Sequence, residues 1–385
     1  MEPPAPLPPA RDPLLFTPGP LTTSLSVKQA MLHDAGSWHA DFNDVVRWIR
    51  ERLLAIAGVS RDAGWECVLL QGSGTFGVEA VFATCVPPGG KVALLANGAY
   101  GERAVQMLAQ AGIGHCVLRT PEDLPAQPAA LETALDADAA ITHVFAVHCE
   151  TTSGILNPIA DLGRVARARG RSFIVDAMSS FGGMPLDLEA SGVDFLVSSA
   201  NKCLEGVPGF CFVLCRREEL LASDGWARSL SLDLLAQLKG FERNGQFRFT
   251  PPTHALLAFA QALRELEQEG GVPARAARYR RNHDTLLDGL HALGLLPYLD
   301  PAFQSHIITA FPFPAVPGFA FAPFYRGLCD RGFIIYPGKL TRVDTFRIGT
   351  IGRLFPADLE QLVHAVRLVL TDLGWVPERR GADEP

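Results

Sequence analysis

Seven short apolar runs recur along the first two-thirds of the chain: ECVLLQ (66–71), KVALLA (91–96), GHCVLR (114–119), THVFAVH (142–148), RSFIVDA (171–177), DFLVSS (194–199) and GFCFVLC (209–215). Odd and even positions alike are apolar, so a strand built from any of them has two faces to bury. That pattern suits a parallel sheet covered by helices on both sides. The segments between, such as VEAVFATCV (78–86), ERAVQMLAQAG (102–112) and IADLGRVARARG (159–170), carry helical spacing, and two of them end at a glycine. Strand and helix alternating in this way predict an α/β fold with a mostly parallel seven-stranded sheet between helices. Ligands of such sheets sit beyond the carboxyl ends of the strands, so the loops after the strands are where chemistry is expected.

After about residue 255 the pattern changes to two long helices, then strand-like SHIITAFPFP (305–314), FIIYPGK (333–339) and TFRIGTIG (345–352), and a closing helix from Pro356. The predicted organisation is a large ligand-binding domain over 14–270 and a smaller C-terminal α+β domain over 271–375. The proline-rich start, 1–13, reads as a mobile tail, and 376–385 as a second one.

Composition excludes several classes. With 385 residues, 48% hydrophobic and 19% charged, the chain is long enough for two domains and can bury a sizeable core. A net charge of −7 without a basic stripe argues against nucleic acid as a partner. No apolar run approaches the roughly 20 residues that span a bilayer, and the N-terminus lacks the apolar core of a secretory signal, so no membrane is expected. The eight cysteines are scattered, mostly in apolar runs, without a Cys-x-x-Cys pair. They read as buried thiols in a reducing, cytoplasmic setting, with no metal.

Three motifs carry chemistry. QGSGTFGVEAV places Gly72, Gly74 and Gly77 between a strand and a helix. The spacing matches a dinucleotide-binding turn, but the ribose-binding acid expected ~20 residues on is missing, since that region reads ALLANGA. What remains is a turn whose backbone, with Ser73 and Thr75, can cradle a phosphate; a plain strand-to-helix turn is the competing reading. Asp176 ends the apolar run RSFIVDA, where an acid either meets a ligand or caps the next segment. Lys202 comes after the next strand, 26 residues later, among small and polar neighbours. A lysine, an acid and a phosphate cradle in this order are the parts needed to hold a phosphorylated aldehyde cofactor.

At this point the chain resembles a known family. LLFTPGPLTTS (14–24), QGSGTFGVEAV (71–81), NGAYGERA (97–104), HCETTSGILNPI (148–159), VDAMSSFGG (175–183), SSANKCLEGVPGF (198–210), FTPPTHA (249–255) and FRIGTIG (346–352) are similar to stretches of the class V aminotransferases, fold-type I enzymes that use pyridoxal 5'-phosphate. The resemblance runs from Leu14 to about Gly374. It implies that Ser73, Gly74 and Thr75 hold the cofactor phosphate, that Tyr100 lies against the cofactor ring, and that Thr152, with Glu150, lies near the ring. It implies Asp176 at the ring nitrogen, Lys202 as the lysine that binds the cofactor and moves the proton, and Arg347 on the anionic end of the substrate. Thr250 would reach the cofactor phosphate of a neighbouring subunit, which implies a homodimer. ETTSGILNPI and NKCLEGVPGF resemble the branch whose small-molecule substrates are 2-aminoethylphosphonate and pyruvate. Alanine–glyoxylate and serine–pyruvate enzymes share the TPGP start and the Asp–Lys spacing, and so stand as alternatives. A pyridoxal-phosphate-binding regulatory protein without turnover is a further one.

Overall fold

The computed structural model describes residues 12–314 and 318–374. The expected N-terminal tail lies outside these residues except for Asp12 and Pro13, and the expected tail 376–385 lies wholly outside them.

All seven apolar runs are strands of one sheet: β1 (Trp65–Gln71), β2 (Lys91–Ala96), β3 (Gly114–Arg119), β4 (Ile141–Val147), β5 (Ser172–Asp176), β6 (Phe195–Ser199) and β7 (Phe210–Arg216). Their spatial order is β1-β7-β6-β5-β4-β2-β3. Along β3-β2-β4-β5-β6 every pairing is parallel; β7 runs antiparallel to both β6 and β1. The reason lies in the connection. A parallel crossover needs a dozen or more residues, usually with a helix, whereas only residues 200–209 join β6 to β7. That short connection carries Lys202. The strands are buried along nearly their whole length, edge strand β1 included, except edge strand β3, which is half-exposed despite its apolar sequence.

The helices that matter here are α1 (Ala40–Ile56), α2 (Gly74–Cys85), α3 (Ala99–Gln110), α4 (Ile159–Ala168), α5 (Thr253–Glu269), α6 (Gly271–His291), α7 (Phe321–Cys329) and α8 (Pro356–Asp372). Helix α2 begins four residues before the periodicity suggests. Its first turn is the glycine motif itself, which packing stabilises as helix against the poor intrinsic propensity of glycine. At Gly77 an added Cβ would lie 2.7 Å from Val197, so α2 sits directly on β6.

A second core gathers Leu286, Phe311, Phe324, Phe346 and Leu362 from α6, α7, α8 and a three-stranded antiparallel sheet, β8 (Ile308–Pro312), β9 (Tyr336–Pro337) and β10 (Thr345–Gly349), in the order β8-β10-β9. Phe16 belongs to this core, and Leu14–Leu15 pairs with Phe333–Ile334, so the chain start packs on the C-terminal unit. Helix α5 ends at Glu269 and α6 starts at Gly271, with both glycines of the joint at positive φ. All eight cysteines are free thiols, six of them buried. Among the described residues no helix is long and apolar enough to cross a membrane.

Candidate active site

The sheet order reverses at β2, whose neighbours are β3 and β4, and the carboxyl ends of the strands there open onto a crevice. A cavity of about 200 Å³ at this end is lined by Ser73, Gly74, Thr75, Tyr100, Arg103, Asp176, Met178, Ser199, Asn201 and Lys202. A roomier surface hollow beside Arg47, Arg50 and Glu242, about 500 Å³, touches none of the predicted site residues, so size alone does not locate the chemistry.

One wall is the start of α2. Ser73 is the N-cap, yet its hydroxyl makes no capping bond, and first-turn N–H groups have no intrahelical acceptor. Gly72 has φ +106°, a turn that favours glycine. A Cβ on Gly74 would lie 2.0 Å from Met178 Sδ, so any larger residue closes the cradle. The result is a concave set of donors suited to an anion. Arg103, which the sequence reading missed, reaches the same place: its Nη1 lies 3.4 Å from Thr75 Oγ1, donating to it. The signal was available, since Arg103 stands one helical turn after Tyr100 and shares its face.

Opposite the cradle are the ends of β5 and β6. Asp176 is almost fully buried and its Oδ1 accepts from the Met178 N–H at 2.9 Å. Burial pushes its carboxyl up to about 6, reinforced by Glu150 and opposed by Lys202 and Arg103. Lys202 Nζ donates to the Pro18 carbonyl at 2.9 Å, and Gly19 passes so close that a Cβ there would lie 2.7 Å from Nζ. The chain start therefore roofs the lysine. Burial lowers the Lys202 pKa, with Tyr100, Cys203 and Asp176 resisting.

Tyr100 opens α3 and lines the cavity between these walls. Its ring carries two cations, the Arg103 guanidinium carbon at 4.9 Å and Lys339 Nζ at 5.1 Å. Burial raises its phenol pKa, but a hydrogen bond with Thr151 and the charges of Lys202, Lys339 and Arg347 outweigh that and hold it below the ordinary value.

Glu150 and Thr152 stand behind Tyr100. Glu150 is fully buried; its Oε2 accepts from the N–H groups of Tyr100 (3.1 Å) and Gly101 (3.2 Å), and its Oε1 accepts from the Thr152 N–H and hydroxyl. Thr152 Oγ1 accepts in turn from Ala99 N at 2.8 Å. The pair caps α3 from 50 residues away and fixes Tyr100; Thr152 does not line the cavity. Thr250 does not either. It is exposed, and its carbonyl accepts from Gln71 Nε2 at 3.0 Å. Arg347 is buried in β10, donating through Nε to Pro337 O (3.0 Å) and through Nη1 to Thr151 O (2.5 Å). Among the described residues it has no carboxylate partner.

A lysine and an acid at adjacent strand ends, facing a helix N-terminus across one cavity, define a class of enzyme that holds a phosphorylated aldehyde cofactor and keeps its ring nitrogen charged. The family model for Aminotransferase class-V matches residues 26–324. A protein of Syntrophobacter fumaroxidans named 2-aminoethylphosphonate–pyruvate transaminase is 51% identical over 355 residues, 92% of this chain and 95% of its own length. One of the same name from Salmonella typhimurium is 50% identical over 363 residues, 94% of this chain and 98% of its own. Among solved structures, an alanine–glyoxylate aminotransferase from Nostoc sp. superimposes with a TM-score of 0.88 at 26% identity, covering 96% of this chain and 97% of that one. The chain belongs to the class V aminotransferase family. The family's cofactor, pyridoxal 5'-phosphate, fits the residues present: the Gly74 cradle suits its phosphate, and the buried Asp176 carboxylate, held by one N–H, lacks the positive partner that the ring nitrogen offers.

Proposed function

We propose that this chain is a transaminase that moves the amine of 2-aminoethylphosphonate to pyruvate, giving phosphonoacetaldehyde and L-alanine. The observation that carries the reading is Arg347, a buried guanidinium without a carboxylate partner on the C-terminal side of the site. A buried charge is tolerated when a counter-charge arrives. Both substrates are anions, and a guanidinium pairs in forked fashion with phosphonate or carboxylate. Relatives about half identical over nearly the whole chain bear the name of this reaction, which supports the same pair of substrates.

Pyridoxal phosphate, when bound, supplies the aldehyde that takes up an amine and the ring that draws electrons from the carbon beside it. Lys202 Nζ moves the proton: burial favours its neutral amine, the form able to take a proton from the donor carbon. Asp176 holds a proton at the ring nitrogen by its negative charge. Ser73, Gly74 and Thr75 would hold the phosphate, with Arg103 beside them, and Tyr100 would lie against the ring. Glu150 and Thr152 act through Tyr100, as the cap of its helix. Arg347 orients the substrate by its anionic end.

The same reading includes a homodimer, in which Thr250 reaches the cofactor phosphate of the neighbouring subunit. Its exposure, together with that of Phe249 beside it and Phe76 on α2, supports this. A fully active monomer in sedimentation at assay concentration would rule it out. The eight free thiols suit a cytoplasmic setting. A panel of amino donors tests the substrates, with pyruvate as acceptor and alanine formation as the score. 2-Aminoethylphosphonate is expected to lead. Preference for L-serine there, or faster glycine formation from L-alanine in a parallel assay with glyoxylate as acceptor, would move the chain to a sister activity while leaving the cofactor site intact.

A further inference from the structure

We infer that Lys339 is a specificity-determining residue, the second cation that lets this site take a phosphonate dianion in preference to a carboxylate. The inference rests on the proposed substrate.

The loop that carries Lys339 is fixed at both ends. At its start, Gly338 N donates to Thr345 O at 2.8 Å, and a Cβ on Gly338 would lie 2.1 Å from Thr345 Oγ1, so the chain is pinned where it leaves β9. Two residues past Lys339, Thr341 donates through its N–H and its hydroxyl to Glu122 Oε2, both at 3.0 Å, tying the loop to the large sheet's side of the crevice. Between these anchors Lys339 Nζ lies 5.1 Å from the Tyr100 ring centre. Arg347 is on the neighbouring strand and donates to the carbonyl of Pro337, two residues before Lys339. Lys339, on the loop after β9, and Arg347, on β10, thus both bring positive charge to Tyr100 from the C-terminal sheet and its loop. Both act on the Tyr100 phenol, as does Lys202.

The nearby acids leave these cations uncompensated. Glu150 is taken up by the α3 N-terminus, Glu122 by Thr341, and Asp176 lies at the opposite wall. Among the described residues neither Arg347 nor Lys339 forms an ion pair with an acid. A carboxylate has one charge and two oxygens in a plane, which the Arg347 fork can satisfy alone. A phosphonate has a third oxygen out of that plane and, near neutral pH, most of a second charge. An ammonium on a flexible stem suits that third oxygen, because it acts as a point charge without a required plane.

The test compares the pyridoxal-phosphate-loaded wild type with Lys339→Gln and Lys339→Arg, following the half-reactions with 2-aminoethylphosphonate and with L-alanine separately by cofactor absorbance. In Lys339→Gln the ratio of kcat/KM for the phosphonate to that for L-alanine is expected to fall about tenfold or more, and Lys339→Arg to restore most of it. Calorimetric titration of the same proteins with ethylphosphonate and with propionate, which lack the amine, reads binding without turnover. Ethylphosphonate affinity should drop in Lys339→Gln by a similar factor, and propionate affinity much less. An unchanged ratio, or equal losses for both ligands, overturns the role of Lys339 while the substrate assignment stands. A wild type that does not turn over 2-aminoethylphosphonate overturns the substrate assignment and this inference with it.

Discussion

Two sides of the site are built on opposite principles: the cavity wall of Asp176 and Lys202, and the cations near Tyr100, Arg347 and Lys339, which do not line the cavity. At the Asp176–Lys202 side, an acid ending β5 and an amine on the connection after β6 line one cavity, and burial pushes both toward their neutral forms. At the Arg347 side, cations gather without acids, and main-chain carbonyls hold the guanidinium in place. The first side suits proton transfer, because burial favours the neutral Lys202 amine, the form that can take a proton. The second suits recognition, because a fixed unpaired charge selects what enters. The difference also separates the sides by expected effect: changes at the first should abolish chemistry for every substrate, and changes at the second should sort substrates.

The largest effect belongs to Lys202. Lys202→Ala removes the amine proposed to bind the cofactor and move the proton, so turnover should fall by about 10⁴-fold or more. The visible absorbance of the bound cofactor and its trapping by borohydride should vanish with it; near-normal transamination would remove Lys202 from the site. Asp176→Asn comes next. It keeps shape and loses charge, so the cofactor should still bind while single-turnover proton abstraction slows by about a thousandfold, the upper part of the roughly 2–5 kcal/mol expected for truncating a buried charge pair. A pH signature accompanies it. The Asp176 carboxyl of the cofactor-free protein is raised to about 6, so it is ionised above that pH and protonated below. A cationic ring nitrogen favours the ionised form, so cofactor affinity should weaken as pH falls through about 6. In Asp176→Asn that step should be missing, and its persistence there would assign it to another group.

Much of this was legible in the sequence for a simple reason. A strand buried on both faces has to be apolar at every position, and the seven runs from ECVLLQ to GFCFVLC meet that demand without help from distant residues. Lys202 and Asp176 were legible because each stands directly at the end of such a strand. The resemblance to the family singled out Tyr100, which the fold puts in the cavity lining, and also Thr250 and Arg347, which lie outside that lining and whose roles are proposals. Other features depend on contacts far apart in sequence. The true start of α2 was hidden because glycine-rich GSGTFG reads as a turn until Val197 and Met178 are seen against it. Thr152 and Glu150 read as ring contacts, yet their oxygens are taken by the amides of α3. Arg103 and Lys339 are one arginine and one lysine among 34 basic residues, and only the fold brings both to the ring of Tyr100.

The smallest of these three effects is the most direct test of the central claim, that an unpaired guanidinium in β10 takes the anionic end of the substrate. Arg347→Ala should lower kcat/KM by about a hundredfold, and Arg347→Lys should recover only part of the loss because a point charge cannot make the forked contact. The decisive measurement is the pair of half-reactions of Arg347→Ala, with 2-aminoethylphosphonate and with pyruvate, each monitored separately by cofactor absorbance. Both are expected to slow while the cofactor stays bound, since the proposed phosphate cradle, Ser73 to Thr75, is left intact. Two untouched half-reactions, or a protein that loses its cofactor instead, would contradict the account.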